Sequence, residues 1–179
     1  ILIFGFAIRT DIKDARIAIL DKSKDATTQK IINKILSTDY FILEKYLESE
    51  KEIEPAFESG KIKEVIVFEP GFGENFTKEG RANIQLIMDA SEPNTANLLN
   101  AYTSGIIADF VMKENKLQTK NMSITPTVRM FYNPGLKSVF MFVPGTMAII
   151  LLLISALMTS ITITREKELG TMEVLLGSP

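Results

Sequence analysis

Asp21, Ser23 and Asp25 stand at alternate positions, the spacing with which a calcium-binding loop opens. Such a loop needs a bidentate glutamate at its twelfth position, and that position holds Ile32. The three residues therefore read as a strand-end turn and a helix cap. Gly71, Gly73 and Gly80 make a glycine-rich stretch, but a dinucleotide fingerprint would need a glycine at position 76, where Phe76 stands. Gly60-Lys61 is followed by Ile62, so the lysine-serine/threonine pair of a phosphate loop is missing. Both stretches read as turns. Glu48, Glu50, Glu52, Glu54 and Glu58 read as a solvated face rather than as catalytic carboxylates.

The sequence of 179 residues contains no Cys and no His. Thiolate nucleophiles, histidine triads, zinc fingers, histidine metal sites and disulfide frameworks are thereby excluded, while a metal site built of Asp and Glu would need its own pattern. No catalytic, cofactor-binding or metal-ligating residue is assigned, and the chain reads as a non-enzyme that neither binds nor hydrolyses ATP. Twenty Lys+Arg against 22 Asp+Glu leave a formal net charge of -2, which provides no electrostatic footprint for nucleic acid.

The charges are unevenly placed. Ser138 to Thr164 is a run of 27 residues with no formal charge, 18 of them apolar. As a helix it would be about 40 Å long at ~1.5 Å per residue, enough to cross a hydrocarbon core of ~30 Å with tilt. Residues 138–164 are therefore read as a transmembrane helix, with Pro144-Gly145 predicting either a kink or a helix that begins at the proline. Flanking cations do not orient it: Lys120, Arg129 and Lys137 precede it, Arg165 and Lys167 follow. The opening ILIFGFAI is apolar but too short to cross a bilayer. Residues 1–10 are read as the end of an earlier transmembrane helix, and the chain as a fragment of a longer membrane protein.

Between these apolar ends, residues 11–137 alternate strand and helix signals. Ile17–Leu20, Tyr40–Leu47, Val65–Phe68, Asn83–Met88 and Ile124–Phe131 predict strands. Asp25 predicts the cap of a helix with Ile31, Ile32, Ile35 and Leu36 on one face. Ser49–Glu58 predicts a helix stopped by Gly60, kinked at Pro55 or starting later. Ser91 and Pro93 open a long helix with Leu99, Tyr102, Ile106 and Phe110 as its buried face. Strands interleaved with helices imply an α/β domain with a mixed sheet, or its α+β variant, and about 120 residues can bury one core.

Beyond the apolar run comes REKELGTMEVLLGSP, residues 165–179. Leu169, Met172 and Leu176 fall on one helical face while Glu166, Lys167, Glu168 and Glu173 lie elsewhere. This predicts a short amphipathic helix able to lie on the membrane or to pack on a partner. With Thr171 as its cap, the helix proper would begin there and Gly170 would be a hinge.

These residues resemble the permease subunits of ABC-2 type transporters. The likeness rests on Asn133-Pro134, Ser138, FMFVPG at 140–145 and the whole of 165–179, with FGFAIRTDIKD at 4–14, IAILD at 17–21 and DASEPNTA at 89–96 in support. It implies the subfamily with a large extracytoplasmic domain between its first two transmembrane helices, working as an exporter. Its implied partners are a separate ATP-binding subunit, a second permease subunit in a homo- or heterodimer, and the lipid bilayer. It places the chain in a bacterial or archaeal inner membrane, multi-pass in its full length. Residues 11–137 would be outside and 165–179 would be a cytoplasmic coupling segment. The residues expected to meet the ATP-binding subunit are Arg165, Glu166, Glu168, Gly170, Thr171, Met172, Glu173 and Leu176. The competing architecture is a sensor receptor, whose extracytoplasmic ligand-binding domain also lies between two transmembrane helices. Gly170 and Gly177-Ser178-Pro179 break the long signalling helix that such a receptor needs.

Overall fold

The structure, a computed structural model, describes residues 13–118, 121–137 and 139–170. The chain divides into two units, Ile1–Lys137 and Ser138–Pro179. The apolar opening, read as the end of a transmembrane helix, lies outside the described residues.

In the first unit, five strands form one mixed sheet in the order β2-β1-β3-β4-β5. They are β1 (Ala15–Asp21), β2 (Phe41–Tyr46), β3 (Glu64–Phe68), β4 (Arg81–Asp89) and β5 (Ser123–Phe131). β1 runs parallel to β2 and to β3, β3 antiparallel to β4, and β4 parallel to β5. The predicted α/β class with a mixed sheet is thus the observed one. β1 and β3 are central, which is why they read as unbroken apolar runs, buried on both sides.

Side chains alternate across the sheet into two cores. Ile17, Ile19, Ile66, Phe68, Ile84, Leu86 and Met88 face one side. There they meet α1 (Ala26–Leu36) and α4 (Pro93–Gln118). Ala18, Leu20, Val65, Val67 and Ile87 face the other side, with Ile53, Ala56 and Phe57 of α2 (Ile53–Glu58).

α1 starts where the sequence places it. Asp25 Oδ1 accepts from the amides of Thr27 (2.8 Å) and Thr28 (2.9 Å), and the Thr28 hydroxyl accepts from the Asp25 amide (3.2 Å) in a reciprocal box. The 49–58 segment begins as a 3-10 turn (Glu50–Glu52), and α2 proper starts at Ile53. Pro55 then sits in the first turn, where a missing N–H costs nothing.

Two expectations are corrected. The glycine-rich stretch after β3 is not a loop. It holds one helical turn, α3 (Phe72–Glu74), running into a π turn (Asn75–Glu79). Gly71 and Gly80 bound it at φ 69° and 73°. Phe72 and Phe76, one turn apart, are buried and extend an aromatic row from Phe68 to Phe110. The second correction concerns α4, whose buried stripe is Pro93, Ala96, Leu99, Thr103, Ile107 and Phe110. Tyr102 and Ile106 are only half-buried at its edge, where Tyr102 stacks on Tyr40 with ring centroids 4.4 Å apart. Ile107→Ala is accordingly expected to cost about 2–5 kcal/mol, and Ile106→Ala clearly less, because its cavity would open to solvent. Thermal melting of both variants checks the phase of the helix; equal losses would overturn it.

β5 leads into a tight exit turn. Tyr132 and Leu136 both adopt positive φ, at 64° and 48°. Asn133, 4% exposed, bridges the backbone of Lys137 through both ends of its amide, at 3.0 Å each. This anchors the Asn133-Pro134 pair noted in the sequence.

The second unit holds α5 (Val139–Glu168), 30 residues or about 45 Å. It begins before Pro144, so the predicted start at the proline is not observed. Its apolar side chains are exposed on all sides, Leu151 at 63%, Leu152 at 69% and Leu157 at 62%. A helix of a water-soluble core would have these covered. Its hydroxyls are turned inward: Thr146, Thr159, Thr162 and Thr164 donate to carbonyls four residues back at 2.8–2.9 Å. That satisfies polar groups without water, as hydrocarbon surroundings demand.

Candidate coupling site

The stretch that carries the functional expectation starts at Arg165. The helix does not break there. Glu and Lys are good helix formers, and Arg165, Glu166, Lys167 and Glu168 continue α5 without interruption. Arg165 and Lys167 occupy its last turn, where cations complement the partial negative charge of the helix end. The end itself is closed by the backbone. The Leu169 amide donates to the Arg165 carbonyl (3.0 Å) and the Gly170 amide to the Lys167 carbonyl (3.3 Å). Gly170 then takes φ 72°, the left-handed conformation in which helices end and which glycine adopts without steric cost.

No separate helix starts at Arg165, because α5 runs through Glu168; Thr171 as the cap of a following helix lies outside the described residues. Of the eight residues expected to meet a partner, Arg165, Glu166, Glu168 and Gly170 lie on this helix end. Thr171, Met172, Glu173 and Leu176 lie outside the described residues. Leu169 is 68% exposed beside the charged turn. The resulting arrangement is an apolar helix of membrane-crossing length whose last turn is charged and is followed by Gly170 in the left-handed conformation.

The residues that could have done chemistry are occupied with structure. Asp21 accepts from the amides of Ser23 (3.0 Å) and Lys24 (2.8 Å) and from the Thr28 hydroxyl (2.7 Å). Asp25 holds the start of α1 and also accepts from the Gly73 amide at 2.7 Å. Burial opposes its ionisation, but the Ser23 hydroxyl and the amides of Thr28, Gly73 and Thr27 outweigh it and hold its pKa below the ordinary value. Glu50 pairs with Lys22, and Glu52 accepts from the Ser49 hydroxyl (3.2 Å), as befits a solvated face. Among the described residues, no three of Asp, Glu, His or Cys gather closely enough to hold a metal ion. Sequence reasoning passed over Glu64 and Thr103, which meet across 39 positions in the buried core.

Comparison with known proteins bears on the whole chain. The family model described as "ABC-2 family transporter protein" matches residues 1–179. "Probable multidrug ABC transporter permease YbhS" of Escherichia coli K12 is 32% identical over 181 residues, covering 99% of this chain and 48% of that protein. "Probable multidrug ABC transporter permease YbhR" of the same organism is 28% identical, covering 100% and 49%. A crystallised domain assigned to an ABC type-2 transporter of Thermotoga maritima MSB8 matches with a TM-score of 0.48 and 13% identity, over 64% of this chain and 86% of that one. The chain spans about half the length of the curated relatives it matches. The family match runs unbroken from the apolar opening through the α/β domain, the membrane-length helix and the charged turn at its end. On that evidence the chain belongs to the ABC-2 transporter family.

Proposed function

We propose that this chain is part of a permease subunit, a membrane-spanning half of an ABC-2 exporter driven by a separate ATP-binding subunit. The observation that carries this reading is the family match over residues 1–179, which includes a helix of membrane-crossing length, its charged last turn and the left-handed Gly170 after it. The match favours a permease over a sensor receptor, because it includes the segment in which the two architectures diverge. α5 crosses a bacterial or archaeal inner membrane, residues 11–137 form the extracytoplasmic domain, and residues 1–10 end a preceding span. Residues 165–179 lie in the cytoplasm and dock on the ATP-binding subunit as a short helix docks in a groove. Two permease subunits, alike or different, assemble for transport.

Topology is testable because the chain has no native cysteine. Single cysteines at Lys61, exposed in the domain, and at Met172 are labelled in intact cells with a membrane-impermeant thiol reagent. Position 61 is expected to react and position 172 to react only after permeabilisation. Cross-linking to the ATP-binding subunit is expected from 172 or 173 and not from 61. The reverse pattern would overturn both topology and coupling role.

A further inference from the structure

Glu64 opens the central strand β3, between Ile17 of β1 and Met88 of β4. Its side chain lies on the same face as Ile66 and Phe68 and is fully buried. One carboxyl oxygen, Oε2, accepts from the Thr103 hydroxyl of α4 at 2.9 Å. The other, Oε1, has no partner within the described structure. A buried, ionised carboxylate with a single neutral donor is among the most costly arrangements a core can hold.

Among the described residues no opposite charge is placed to offset that cost. Lys63, immediately before β3, points away from Glu64 and pairs with Asp89 of β4 at 3.1 Å. β4 turns Ala82, Ile84, Leu86 and Met88 toward α4, all apolar. β1 contributes Ile17 and Ile19, and its one acid on that face, Asp21, lies four residues along the strand in the turn already described. α1 and α4 turn Lys34 and Asp109 toward each other, and these form an ion pair joined by Lys113. Burial, only slightly offset by the Thr103 hydroxyl, pushes the Glu64 carboxyl up to about 8.

We propose that Glu64 and Thr103 form a proton-operated latch: α4 seats on the sheet when Glu64 carries its proton and is released as the proton is lost. The direction is opposite to that of the domain's other shifted acids. Asp25 and Asp89 are held below their ordinary value, burial being outweighed by hydrogen bonds and, for Asp89, also by Lys63. They contribute stability that is lost as pH falls. Glu64 binds its proton more tightly when α4 is seated than when it is lifted, so seating weakens as pH rises from the ordinary 4.5 to about 8 and then levels off. An extracytoplasmic domain with this latch would tighten in acid surroundings and loosen in neutral or alkaline ones.

Hydrogen–deuterium exchange of the chain in lipid nanodiscs tests the latch. Exchange in α4 between Ala96 and Phe110 is measured from pH 5 to 9 and divided by that of Glu64→Gln at the same pH, which removes the intrinsic pH dependence. The ratio is expected to rise about tenfold per pH unit between about 5 and 8 and then flatten. The same ratio for α2, on the opposite face, is expected to stay near one. A flat α4 ratio would overturn the latch, and so would a parallel rise in α2, which would mean whole-domain unfolding. Should Glu64→Gln fail to fold, the infrared band of a protonated carboxylic acid decides on the native chain. It is expected to persist at neutral pH and to vanish only near 8; its complete loss by pH 6 would overturn the proposal.

Discussion

Alanine at position 73 is expected to destabilise the α/β domain by about 2–4 kcal/mol, lowering its melting midpoint by roughly 10 °C. A Cβ built there would lie 2.7 Å from the Asp25 carboxyl carbon and from both of its oxygens. Real side chains do not approach that closely, so the carboxyl must move. Its movement breaks the 2.7 Å bond from the Gly73 amide and disturbs the cap of α1 together. Losing a cap costs ~1 kcal/mol and forcing an extra methyl into a packed site ~1–3 kcal/mol. Asp25→Ala in the Gly73→Ala background provides the control. It removes the clash, so the second substitution should cost less than it does in the native chain, a coupling that a double-mutant cycle measures. Strictly additive losses would show that the two residues do not touch.

The second large effect concerns transport. If the proposed permease reading holds, Gly170→Leu and Glu173→Lys in the full-length protein, assembled with the proposed ATP-binding subunit, are each expected to reduce ATP-driven efflux at least tenfold, with membrane insertion intact. At Gly170 the backbone has φ 72°, and a leucine there is strained by roughly 1–2 kcal/mol. The helix end would relieve that strain by rotating out of the left-handed conformation, which redirects the chain toward residues 171–179. Glu173→Lys instead reverses a charge within the segment proposed to dock on the ATP-binding subunit. The distinguishing measurement is ATP hydrolysis alongside transport. Uncoupling leaves hydrolysis while efflux falls; an unchanged efflux with either variant would remove residues 165–179 from the coupling path. Gly170→Asn serves as the mild variant, since asparagine tolerates the left-handed region, and most of the activity should return with it.

Much of this molecule is legible in one dimension, for reasons that can be named. Strands buried on both faces must be unbroken apolar runs, so Ile17–Leu20 and Val65–Phe68 announced β1 and β3. A helix start needs a side-chain acceptor for its free amides, so Asp25 marked α1 before any contact was known. A span needs about twenty uncharged residues, and 138–164 supplies them.

The remainder depended on partners distant in sequence. Phe72 and Phe76 looked like turn residues because Gly71, Gly73 and Gly80 punctuate their stretch; their helical placement follows from burial between Phe68 and Phe110. Ile106 and Ile107 are equally apolar, and which of them turns inward depends on a rotation of about 100° per residue that only the docking of α4 on the sheet sets. Gly73 is constrained by Asp25, 48 positions away, and Glu64 by Thr103, 39 positions away. Local pattern reports what a segment can bury, because burial is a property of its own side chains. It carries no record of which distant group will approach, because that is settled by how the helices lie on the sheet.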